Sequence, residues 1–317
     1  MRAVLVVAIV VAGGCGKAAG DRAPEPVPAA PAPPAVPPAA AGDPWAAPAA
    51  ASKCPAQPFA DELDLPEASA ATWLVVDGKP ALMVVADSGN RGAYRLVDPG
   101  DGSVRERGEL PLGEGAGDDL EGLSIEGDRV WGLTSNGWLR AWKREPASAG
   151  KPARFALVVG PYPLGPVGGK DSLVCAPKGF NCGKNFEALC LRPGAAAGDC
   201  VGYAGAKADG RLYCMARDGD RLVADRARTL EVTPPLVLSS CDFSPDGRDL
   251  WVGTNMLGAA RVYHVLDWQT PDKARAESVG SLGTGFPEGM AIGDDGAIYR
   301  FSDTGSAPSG QWKFRCK

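Results

Sequence analysis

The sequence predicts an all-β fold, a five-bladed β-propeller closed by an N-terminal strand. Three observations carry this expectation. One motif recurs in phase: hydrophobic, aromatic, any residue, hydrophobic, then a small or polar pair before Gly. It falls at residues 81–89, 129–137, 211–219, 249–255 and 297–305. Short apolar runs bounded by turns such as Pro245-Asp246-Gly247 and Asp294-Asp295-Gly296 recur with a period of about 50 residues. No convincing helical periodicity interrupts them, and short strands at such a period read as blades stacked radially.

From the N-terminus, Met1-Arg2, the apolar run at 3–12 and Gly13-Gly14 before Cys15 have the layout of a signal peptide over residues 1–14. The apolar run is too short to span a bilayer as a helix. Small residues directly ahead of Cys15 resemble the lipobox of bacterial lipoproteins. That resemblance implies acylation of Cys15, attachment to the membrane through the lipid alone and, with Gly16 following, an outer-membrane location facing the periplasm or the cell surface. Ordinary secretion with Cys15 discarded leads to an oxidising compartment as well. Residues 15–53 are mostly Ala and Pro, with too few large apolar side chains to build a core, and read as an extended tether.

Residues 54–317 are left as the propeller domain. The first expected strand, at 59–66, aligns with the outer strand of the first blade at 107–112 yet precedes every blade. It can therefore pair with the last blade and remove a free sheet edge. Ahead of each repeat lies an inner segment: 71–76, 119–125, 185–191, 240–244 and 286–292. After the repeats come alternating third strands, as at 93–97, 138–142 and 261–265. The longest insertion, 161–184, offers a lip of Lys170, Lys178, Phe180 and Lys184, and a second insertion occupies 193–209. Both fall in or beside the third blade, and loops on a rigid scaffold are where individual function usually lies.

Without Cys15, eight cysteines remain, at 54, 175, 182, 190, 200, 214, 241 and 316. An even number in an oxidising compartment reads as up to four disulfides, whose pairing the sequence leaves open. Cys54 and Cys316 flank the expected closure, where a bond would lock the ring. Cys175 and Cys182 are close enough in sequence for a local bridge.

Composition narrows the chemistry. The net charge of −5 comes from 38 acids and 33 bases scattered along the chain, which offers no basic stripe for nucleic acid. His264 is the only histidine, so chemistry requiring two is excluded. Asp87-Ser88-Gly89 and Asp303-Thr304-Gly305 mimic the triplets of a two-carboxylate protease, but both sit at the turn of the repeat itself.

The phrases Asp119-Leu120-Glu121-Gly122-Leu123, Asn185-Phe186-Glu187-Ala188-Leu189 and Pro287-Glu288-Gly289-Met290-Ala291-Ile292, continuing to Tyr299, resemble the SdiA-regulated family of bacterial five-bladed propellers. More distantly they resemble the phytase-like "esterase" propellers. The resemblance covers residues 59–317 and implies fold and compartment rather than a reaction. Relatives often carry an acid at the end of each second strand, where this chain is read as carrying Asp87, Ser135, Arg217, Asn255 and Asp303.

Glu121, Glu187, Asp242 and Glu288 are read as one register of the inner strands, which five-fold pseudo-symmetry would gather at one end of the central channel. Such a ring suits Ca2+, which takes oxygen ligands in flexible geometry. The plainer alternative is that each carboxylate ties backbone N–H groups of the blades together. Asp87, Arg217, Asn255 and Asp303 are the accompanying candidate binding residues. The expectation is a monomeric envelope lipoprotein that presents a binding or scaffold surface to a protein, glycan or small ligand. The competing reading is a calcium-dependent hydrolase resembling lactonase or phytase-like propellers.

Overall fold

The computed structural model describes residues 53–316 apart from 149, 169–171, 178, 180, 197, 233 and 256–259. Cys15, the signal segment, almost all of the tether and three members of the proposed lip (Lys170, Lys178 and Phe180) lie outside the described residues.

The described chain forms strands and no helix. After β1 (Ala56–Gln57) and β2 (Glu62–Pro66) come four antiparallel four-stranded sheets, each blade running in chain order across its width. The first blade is β3 (Ala68–Val76), β4 (Lys79–Ala86), β5 (Ala93–Val97) and β6 (Val104–Glu109). The second is β7 (Leu120–Glu126), β8 (Arg129–Thr134), β9 (Trp138–Glu145) and β10 (Arg154–Pro163). The third is β11 (Phe186–Leu191), β12 (Gly202–Ala206), β13 (Arg211–Asp218) and β14 (Arg221–Glu231). The fourth is β15 (Leu238–Phe243), β16 (Leu250–Thr254), β17 (Arg261–Leu266) and β18 (Arg275–Ser281). The fifth contains β19 (Phe286–Ile292), β20 (Ala297–Asp303) and β21 (Pro308–Arg315), and is completed by β1 and β2 on the outer side of β21.

The inner strands β3, β7, β11, β15 and β19 neighbour one another in a closed cycle, with β19 returning to β3. The apolar core follows from that geometry, because it is divided into five clusters, one at each blade–blade interface. Trp142 and Tyr94 lie between the first and second blades, Trp131 and Phe186 between the second and third, and Phe243 and Leu212 between the third and fourth. Ile298 and Val262 pack between the fourth and fifth, and Leu82 and Phe301 between the fifth and first. The inner strands therefore bury both faces, one against each neighbouring blade, whereas outer strands such as β6 alternate exposed and half-buried residues. This explains why the repeats read as apolar runs rather than clean alternation.

Closure is as expected: Glu62 pairs with Gly310, Leu63 with Ser309 and Ala56 with Phe314. Gln311 reinforces it, its Nε2 donating to the carbonyl oxygens of Glu62 at 2.9 Å and Gly102 at 3.0 Å. Disulfides join Cys54 to Cys316 across this seam, Cys175 to Cys182, Cys190 to Cys241 and Cys200 to Cys214. The Cys190–Cys241 bond links the inner strands of the third and fourth blades. Four disulfides are consistent with an extracytoplasmic protein, and among the described residues no helix is long and apolar enough to cross a membrane.

The third blade corrects the repeat phase. The motif copy at 211–219 is β13, the third strand of its blade, whereas the copies in the other four blades fall on second strands. The true second strand is β12, Gly-Tyr-Ala-Gly-Ala, inside the stretch read as an insertion. It is buried throughout yet carries one large side chain, so it lacks the bulky alternation that marks its counterparts.

Candidate functional site

In all five blades the first strand carries a β-bulge within two residues of the start of its pairing with the second strand. The residues that fall in the bulges are Ser69, Glu121, Glu187, Ser239 and Glu288. A bulge leaves one residue outside the ladder and re-aims its side chain. Where that residue is serine it ties adjacent blades: Ser69 Oγ donates to Leu120 O and Ser239 Oγ to Pro287 O at 3.3 Å. Where it is glutamate, the carboxylate faces the upper mouth, the end of the channel at which the inner strands begin. The next residue is small, Gly122, Ala188 or Gly289, because neighbouring inner strands approach closely. A Cβ on Gly122 would lie 2.6 Å from the Leu189 backbone nitrogen.

Asp242 does not join this ring. It is three residues beyond the bulge of its strand, opposite Trp251, and accepts hydrogen bonds from the backbone N–H groups of Ile292 (2.8 Å) and Phe243 (2.9 Å). It lies by the lower mouth, in a recess shared with Ser124 and Thr72. Ser124 does the same job between the second and third blades, accepting from Leu191 N at 2.8 Å. Asp242 thus matches the blade-tying alternative, although burial raises its pKa to about 7 against the lowering effect of those N–H groups.

Arg217 is also elsewhere. As a residue of β13 it reaches the lower end of the second blade and pairs with Glu126. The position at the end of the second strand is held by Asp87, Ser135, Lys207 and Asn255, which follow their strands, and by Asp303, the last residue of β20. Lys207 takes the place assigned to Arg217, and the shifted repeat phase concealed it.

The upper mouth therefore gathers Asp87, Asp119, Glu121, Glu187, Glu288 and Asp303, with Lys207 beside the three glutamates. Two glutamates have partners. Lys207 Nζ lies 2.9 Å from Glu187 Oε2, and Asn185 Nδ2 donates to Glu187 Oε1 at 2.9 Å. Asn255 Nδ2 donates to Glu288 Oε1 at 2.6 Å. Arg300, wholly buried on β20, adds a second positive charge near Glu288, with Nη1 donating to Ser240 Oγ at 2.6 Å and Nη2 to Pro287 O at 2.5 Å. Burial brings its pKa down to about 9.

The other side of the mouth is not compensated in this way. One carboxylate oxygen from each of Asp87, Asp119 and Glu121 lies within 4.8 Å of the others. Asp119 accepts from Ser135 Oγ and Asp87 from the backbone N–H of Ser88. Glu121 accepts no hydrogen bond from any described residue. Burial, then the charges of Glu187, Asp87, Glu288 and Asp119, push the Glu121 carboxyl well above the usual range. Burial raises Glu187 too, Glu288 to about 8 and Asp87 to about 6. Below the mouth the channel closes to a cavity of about 10 Å³, the scale of one water.

Beside Asp119 opens a recess of about 180 Å³, lined by Ser88, Asp118, Asn136, Pro177 and Gly179 among others. The long insertion forms one wall. It is held there by Asn136, whose Nδ2 donates to Gly179 O at 2.6 Å, and by Ser135 Oγ, which accepts from Asn181 N at 3.0 Å. Lys184, expected in a partner-binding lip, is committed to Asp209 at 2.7 Å. His264 stacks on Trp251 and bonds Asp249 at 2.9 Å, on the third strand of its blade.

No protein-family model matches the chain, and a search of curated proteins finds no match. Among solved structures, glutaminyl cyclase from Myxococcus xanthus matches with 16% identity over 83% of this chain and 96% of that one, at a TM-score of 0.46. A putative oxidoreductase (glucose dehydrogenase) from Thermus thermophilus matches with 13% identity over 82% of this chain and 99% of that one, at 0.44. At these values neither carries an argument about what this chain does.

Proposed function

We propose that this chain is a cell-envelope lipoprotein, anchored through Cys15, whose propeller acts as a binding module with a calcium ion at its upper mouth. One observation carries the reading: Asp87, Asp119 and Glu121 bring three carboxylate oxygens together within 4.8 Å, and Glu121 is buried without a hydrogen-bond donor among the described residues. The donors are all oxygens, which suits a hard cation and not zinc or copper. A bound divalent ion would neutralise the charge that otherwise forces protons onto these groups. The adjoining recess, floored by Asp119 and walled by the insertion, is where a ligand's oxygen atoms would complete the coordination. The likeness of the Glu-Gly and Glu-Ala phrases to the SdiA-regulated propellers belongs to this proposal.

The test is elemental analysis and calcium titration of the purified full-length protein and of Asp119→Asn and Glu121→Gln. About one calcium per chain, lost in both variants, supports the reading. Absence of stoichiometric calcium, with no calcium-dependent rise in thermal midpoint, overturns it.

A calcium-dependent hydrolase would use the same ion and needs an open space beside it, which the recess at Asp119 supplies. Turnover of a lactone, ester or phosphoester that is abolished by chelation and by Asp119→Asn would favour this second reading.

A further inference from the structure

A second cleft lies away from the channel mouth. It opens on the lower face between the third and fourth blades, where β11 and β17 end, and has a volume of about 430 Å³. That is within the range of small-molecule sites.

Its polar side chains are Arg192, Arg228, Asp199, Tyr203, Thr229 and Gln269. Arg192 follows β11 and lies over the ring of Trp268, with its guanidinium carbon 5.5 Å from the centroid. Its Nη2 donates to Asp199 at 3.0 Å. Arg228, from β14, uses Nε on Asp225 at 2.7 Å and Nη1 on Gly198 O at 3.3 Å. Its Nη2 makes no hydrogen bond among the described residues. Tyr203, from β12, is buried to 6% exposure, and its hydroxyl likewise makes no hydrogen bond to a described residue. Both arginines act on it electrostatically. The indole N–H of Trp268 is already given to Arg248 O at 2.8 Å, so this residue offers the cleft only its apolar ring.

Each arginine of the cleft has an acidic partner, Arg192 in Asp199 and Arg228 in Asp225, which leaves Arg228 Nη2 and the Tyr203 hydroxyl as donors without a partner among the described residues. Two disulfides brace the walls. Cys200–Cys214 forms part of the lining, and Cys190–Cys241 bonds the two blades that flank it. A site fixed before binding gives up less conformational freedom on taking a ligand.

We infer that this cleft binds a small carboxylate with a flat apolar body. The carboxylate would accept from Arg228 Nη2 and the Tyr203 hydroxyl, and the body would lie along Trp268 and the Cys200–Cys214 wall. Two charge-oriented donors converging over an aromatic floor recognise an anion with an apolar end. A neutral amide of the same shape would lose the charge-assisted strength of those hydrogen bonds. The inference stands apart from the calcium reading, since the cleft is on the opposite face and contains none of the mouth carboxylates.

The probe pair is indole-3-acetate and indole-3-acetamide, titrated into the full-length protein to about 10 mM. The readout is the indole N–H resonance of Trp268, assigned by its loss in Trp268→Phe. The expected result is a saturable shift with the acid and affinity at least about tenfold weaker for the amide. Tyr203→Phe, which keeps the ring packing, and Arg228→Met each weaken the acid by about tenfold or more. No saturable shift with the acid, equal binding of acid and amide, or a smaller loss in a folded Tyr203→Phe protein overturns the inference. The acid–amide comparison uses the unaltered chain and is decisive even if a variant fails to fold.

Discussion

Lys207 Nζ lies 2.9 Å from Glu187 Oε2, and Glu187 has 3% of its side chain exposed against 33% for Lys207. Burial alone would hold the Lys207 ammonium down, but the Glu187 charge and hydrogen bond outweigh it and leave the pKa raised. Removing the lysine leaves a buried carboxylate with only Asn185. Lys207→Met is expected to cost about 2 kcal/mol, below the value for a fully buried pair because Lys207 is a third exposed. Adding Glu187→Gln should recover much of the loss. Urea unfolding of the two single variants and the double variant measures the coupling.

The raised carboxyls make stability depend on pH. Glu288 at about 8, Asp242 at about 7 and Asp87 at about 6 all bind protons more tightly folded than unfolded. Their contribution is complete below the ordinary carboxylate range, about pH 4, and is lost as pH rises through 6 to 8. With chelator present, the thermal midpoint should fall from pH 5 to pH 8, each titrating group contributing a slope of about 1.4 kcal/mol per pH unit. Calcium should lessen the fall at the mouth and leave the part due to Asp242, which Asp242→Asn would remove. A midpoint that rises over this interval in chelator would contradict the electrostatics described.

The Cys54–Cys316 bond closes a loop of 262 residues and holds β1 against β21. Replacing both cysteines with serine should destabilise the domain by about 4 kcal/mol through the freedom returned to the unfolded chain. The reduced ring should open first at β1 and β2, read as faster hydrogen exchange of β21 than of β20.

Gly122 follows the Glu121 bulge where β7 meets β11. A Cβ there would lie 2.6 Å from Leu189 N and 2.8 Å from the Ala188 carbonyl carbon, both backbone atoms that cannot swing aside. Gly122→Ala should cost about 2 kcal/mol in urea unfolding, whereas alanine at position 188 is already native and packed. A neutral Gly122→Ala would mean that the inner strands can move apart.

The four well-marked second strands are legible in sequence because each carries large residues at a fixed distance from its turn, as with Trp131, Trp251 and Tyr299. β12 is not. Its Tyr203 stands alone among Gly and Ala, so the repeat pattern matches Arg211–Asp218, the adjacent strand, instead. That shift misassigns Arg217 and hides Lys207. Asp119 is visible in the Asp-Leu-Glu-Gly phrase but has no distinguishing mark. Its role comes from Asp87 and Glu121 meeting it across two blades.

Sequence alone determined what depends on local pattern: strand content, five repeats, the return of an N-terminal strand to close the ring, and Glu121, Glu187 and Glu288 ahead of small residues. These follow from side-chain size and polarity along a few consecutive residues. Tertiary structure decided which acids share the mouth. Asp242 and Ser239 lie on one short strand, and nothing in their neighbours says which of them falls in the bulge. The bulge exists because five twisted sheets must bring their inner strands together at the axis. Its placement separates Asp242, turned to the backbone of the next blade, from the glutamates turned to the channel.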